Sequence, residues 1–64
     1  MKTDPYEIRR LATEMRDKLG YSAGHIARAQ SDAAFLAGEF ERHHHWRSVA
    51  TAIAEIESTL RTSI

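Results

Sequence analysis

Gly20 and Gly38 each close a stretch whose apolar residues recur at helical spacing, and so little chain separates the stretches that consecutive helices have to fold back on one another. The first stretch begins at Asp4-Pro5-Tyr6-Glu7, which supplies an N-cap acceptor, a proline suited to the first helical position and a carboxylate able to reach back to the cap amide. A helix is therefore predicted to start at Pro5. Ile8, Leu11, Ala12, Met15 and Leu19 follow three and four residues apart, and Gly20 is a left-handed C-cap candidate that ends the helix near Leu19.

Ser22 is placed to cap a second helix, in which Ile26, Ala29, Ala33 and Leu36 form the expected inner face before Gly38. That face is mostly alanine, so a neighbouring helix can come close, but each residue contributes little apolar area and needs a bulky partner. The third stretch provides one: Trp46, Val49, Ala50, Ile53, Ile56, Leu60 and Ile64 mark a single stripe on a helix running from about Phe40 to about Leu60. The expected fold is all-α, one small three-helix domain over residues 1–64, with short turns at Gly20-Tyr21 and Gly38-Glu39 and the third helix longest. Its expected core is Ile8, Leu11, Met15, Leu19, Ile26, Ala33, Leu36, Trp46, Val49, Ile53, Ile56 and Leu60.

A chain of 64 residues has only a thin core, and small domains usually gain support from disulfides, a structural metal or a partner subunit. With no cysteine, the first is excluded and the default compartment is cytoplasmic. Nine Lys plus Arg balance nine Asp plus Glu with the signs interleaved, which argues against nucleic acid, whose binders carry a basic face. Apolar runs such as Ala33 to Ala37 are far too short to span a bilayer, so no membrane association is expected. The N-terminal Met1-Lys2-Thr3-Asp4-Pro5 leads into no apolar segment of the signal-peptide kind.

Two motifs invite more specific chemistry. The first is His43-His44-His45 beside Trp46, with His25 elsewhere. Metal-binding histidines on a helix stand four residues apart, whereas adjacent ones fan out by about 100° each and cannot converge on one ion. Glu39 with His43 and Glu41 with His45 have the right spacing, but two ligands do not make a transition-metal site, so neither metal nor other cofactor is expected. The second is Leu19 to Ala29, where a Gly-Tyr-Ser turn precedes Ile26-Ala27-Arg28, which resembles the opening of a helix-turn-helix DNA-binding unit. A recognition helix should follow after a short turn, yet Gln30 to Leu36 continues helically through Asp32. Catalysis has no support: there is no phosphate loop, cysteine nucleophile or nucleophile elbow, and each serine has a capping or solvated position.

The first amphipathic helix ending at Leu19-Gly20, the alanine-rich second helix through Ala33-Ala34, the Gly38-Glu39 turn, and Trp46 followed by Val49, Ala52-Ile53 and Ile56 resemble a group of short helical proteins of alphaproteobacteria, a domain of unknown function. Glu39, where aspartate is more usual, and the histidine run depart from that pattern. The resemblance implies a fold and a bacterial cytoplasmic setting, and no activity.

The function expected is a non-enzymatic helical protein-protein interaction module, a homo-oligomer or an accessory subunit. The alternatives are a small DNA-associated regulator using His25 and Arg28, and a phage-type or antitoxin-like inhibitor that covers a partner's surface. Helical geometry sets Phe35 opposite Ile26, outside the expected core, so Phe35 is assigned to partner contact with Tyr21, Phe40 and His44 near it. A homodimer is favoured over a heteromer, because closed two-fold assemblies are the commonest oligomers.

Overall fold

The computed structural model describes residues 4–62. It contains three helices, α1 (Pro5–Leu19), α2 (Ser22–Leu36) and α3 (Phe40–Thr62), and no strand among the described residues. The fold is thus all-α with α3 longest, as the glycine punctuation predicts. Ile64, assigned to the α3 stripe, lies outside the described residues.

The caps explain where each helix begins and ends. Asp4 Oδ1 accepts from the Tyr6 amide at 2.9 Å, with Pro5 inside the first turn. Gly20 closes α1 at φ 61°, ψ −135°, a conformation strained for any residue with a Cβ, and its amide donates to the Arg16 carbonyl. Ser22 does not cap α2. It is the first helical residue, and Tyr21, at the cap position with helical dihedrals, makes no side-chain capping bond.

At the other end of α2 the amides of Gly38 and Glu39 donate to the carbonyls of Phe35 and Ala34. That is a Schellman closure, made possible by Gly38 at φ 76°.

The helix α3 is the spine: α2 packs against it most extensively, α1 less so, and α1 and α2 touch each other least. Ile8, Ala12, Ala23, Ala27, Val49, Ala52 and Ile53 form the buried core, with Leu11, Met15, Trp46, Ala50 and Ile56 packed partly against it. Val49 and Ile53 are the largest side chains fully removed from solvent.

One part of the expected core is wrong. The buried face of α2 is Ala23, Ala27, Ser31 and Ala34, whereas Ile26, Ala29, Ala33 and Leu36 are exposed, Leu36 at 86%. The helix is rotated by roughly 135° from its expected orientation. The physical reason lies across the interface: bulky α3 residues fill the core only if α2 offers a smooth surface and comes close. Gly24 completes that surface, since a Cβ there would stand 3.7 Å from Ile53 Cγ2. Leu19 and Leu60 are also exposed rather than buried, each in the last turn of its helix.

Candidate interaction surface

The turn between α2 and α3 gathers aromatic side chains. Because the Schellman closure reverses the chain within three residues, Phe35 in the last turn of α2 meets the first two turns of α3. Its ring stands edge-on to Phe40 at 5.9 Å between centroids and tilted against the His43 imidazole at 5.1 Å. Phe35 and Phe40 nonetheless keep more than half of their surface in solvent, and Leu36 beside them is almost bare.

His43 is fixed from beneath. Its Nδ1 lies 2.9 Å from both the Ser31 carbonyl and Ser31 Oγ, and Ser31 Oγ donates to the His43 carbonyl at 3.2 Å. Only a protonated Nδ1 is compatible with a carbonyl oxygen at that distance, so this network assigns the proton to Nδ1 and leaves Nε2 without it in the neutral ring. Ser31 is 5% exposed, the one buried polar residue of the described core. The two residues clasp α2 to α3 within the otherwise all-alanine face. Neither is positioned as a nucleophile and base: the Ser31 hydroxyl is buried and its proton is directed to a backbone carbonyl.

The three consecutive histidines diverge, as adjacent helical residues must. His43 faces α2, His44 lines an open groove with Pro5, Ile8 and Arg9 of α1, and His45 lies edge-on to Trp46 at 5.7 Å. Among the described residues no three His, Cys, Asp or Glu side chains converge to hold a metal ion.

Of the residues assigned to partner contact, Phe35 and Phe40 are brought together, and Tyr21 and His44 are not. Tyr21 lies at the far end of α2, about 21 Å away along the helix, under the Arg16 guanidinium at 4.7 Å from the ring centroid. His44 points to the α1 side of the spine. Sequence reasoning missed His43 and Ser31 as a pair. The available signal was that Ser31 continues the four-residue spacing of Ala23 and Ala27, which marks it as an inward position.

The outward side of α2 carries Ile26, Ala29, Ala33, Leu36 and Ala37, an apolar strip without a charged residue. Arg28 and Asp32 flank it on one side and line an open groove against Arg47 and Thr51 of α3. Across the described residues no helix is long and apolar enough to cross a membrane. Comparison of the chain with protein-family profiles, with characterised sequences and with solved structures finds no match in any of the three.

Proposed function

We propose that this chain is a non-enzymatic helical protein-protein interaction module that works through the outward face of α2 and the adjoining Phe35-Phe40 turn. One observation carries the reading: the most regular apolar stripe of α2 is the one that its own fold leaves exposed. Single exposed apolar residues are ordinary, but a contiguous strip leading into two half-exposed aromatics is the kind of surface that partners cover. The small core points the same way, because a domain of this size gains stability by burying such a face against another chain. A bacterial cytoplasmic setting and kinship with the alphaproteobacterial helical group accord with the cysteine-free composition and the placement of the glycine turns.

The test is sedimentation of the untagged chain, alone and after native isolation, beside Leu36→Ser and Phe40→Ser variants whose helicity is checked by circular dichroism. A stoichiometric complex, homomeric or heteromeric, that both substitutions weaken while helicity is retained is the expected result. A chain that stays single in both settings, or one that instead binds duplex DNA with steep salt dependence, would overturn the reading in favour of none or of the DNA-associated regulator.

A further inference from the structure

We infer that the occupant of the α2 face is a second copy of this chain, lying antiparallel about a two-fold axis that passes near residue 31. This rests on the interaction-module reading and names its partner. Ile26, Ala29, Ala33 and Leu36 are spaced three, four and three residues apart, an order that is the same from either end. An antiparallel two-fold therefore sets Ile26 against Leu36 of the second copy and Ala29 against Ala33 of the second copy, bulky against bulky outside and small against small at the axis. Straight helices that cross are closest at the crossing point and diverge beyond it, so alanines at the centre and branched side chains at the ends fill the gap. The contact is isologous, every residue being used once by each copy, as a closed dimer requires.

Charge selects this orientation over the parallel one. Arg28 and Asp32 stand one helical turn apart beside the strip, and neither has an ion-pair partner among the described residues. A parallel two-fold would carry the Arg28 and Asp32 of the two copies to opposite edges of the contact, out of reach of one another. Antiparallel pairing keeps them on one edge, with the two arginines bracketing the two aspartates and each Arg28 within about 3 Å, measured along the axis, of the level of Asp32 of the second copy, and it also opposes the two helix dipoles. The formal net charge of zero adds no long-range repulsion between copies.

The natural absence of cysteine makes the register measurable. Ile26→Cys and Leu36→Cys chains are prepared separately and oxidised gently, alone and as an equimolar mixture. The mixture is expected to yield a disulfide-linked heterodimer, with little linkage in either variant alone. Independently, Ala33→Arg is expected to weaken association by about a hundredfold at unchanged helicity, because it sets charge into the alanine layer. Equal linkage of each variant with itself would overturn the antiparallel register. A dimer indifferent to Ala33→Arg would overturn the α2 face both here and in the proposed function, leaving an interaction module that uses another surface, whereas a chain that is monomeric alone yet stoichiometric with another protein would overturn the second copy and leave the proposed function standing. A chain monomeric at high micromolar concentration with no other partner would end both.

Discussion

Truncating Ile53 tests the packing at its densest point. Its side chain is fully buried, and its Cγ2 lies against the smooth face of α2 beside Gly24. Ile53→Ala removes the three carbons beyond Cβ, worth about 2.4 kcal/mol of transfer free energy at about 0.8 kcal/mol each. A cavity term adds to this, because α2 is held by its own backbone and by the Ser31-His43 clasp and cannot fully close the gap, giving a total of about 3 to 4 kcal/mol. A domain this small holds only about 5 kcal/mol in all, so the milder Ile53→Val, at about 0.5 to 1.5 kcal/mol, belongs in the same series. Leu36→Ala, at an 86% exposed position, should cost about 0.5 kcal/mol or less in the single chain. Urea unfolding followed by helical circular dichroism at low micromolar concentration measures all three, and association is kept out of the comparison by dilution. If Leu36→Ala cost as much as Ile53→Ala, α2 would present the other face to α3 and the packing described above would be wrong.

Gly24→Ala should stabilise by about 0.4 to 1 kcal/mol, because the new Cβ meets Ile53 and Glu57 at ordinary contact distance, 3.7 and 3.8 Å, and the unfolded chain loses freedom. A drop in urea midpoint would show that the helices are closer than this. Gly20→Ala should destabilise by about 1 to 2 kcal/mol although its Cβ would meet nothing, since the cost is the positive φ alone; an unchanged midpoint would contradict that dihedral. Ser31→Ala should cost about 0.5 to 1.5 kcal/mol, and the loss should appear as faster amide exchange in the first turns of α3; uniform exchange across all helices would contradict a local clasp. Asp4→Ala should lower stability by about 0.5 to 2 kcal/mol through the Tyr6 amide it leaves without its cap, and an unchanged thermal midpoint would remove that cap from the structure.

Helix number and boundaries were legible because they are local. Proline at the first turn, glycine at positive φ and the brevity of the connections act within a few residues, so Asp4-Pro5, Gly20 and Gly38 mark the ends without knowledge of the rest. The face of α3 was legible because its large apolar residues share one stripe: Val49 and Ile53 are fully buried and Ile56 packs partly against them.

The face of α2 was not legible, because apolarity alone ranks Ile26 and Leu36 above Ala23 and Ala27. The competing requirement, close approach to a bulky neighbour, belongs to the pair of helices and cannot be weighed in one of them. Phe35 was correctly excluded from the expected core, but for a mistaken reason: it sits at the edge of the true interface, against Phe40 and His43. Ser31 and His43 are twelve residues apart and become a pair only when the Gly38 turn sets the antiparallel register.

Nuclear Overhauser contacts from a sample mixing isotope-labelled and unlabelled chains test the outward orientation of α2 and its pairing together. The Ile53 methyls should contact the Ala23 and Ala27 methyls within a chain, while Ile26 and Leu36 methyls contact each other only between chains. Contacts of Ile53 with Ile26 and Ala33 inside one chain, with no contacts between chains, would contradict both the rotation of α2 and the dimer built on it.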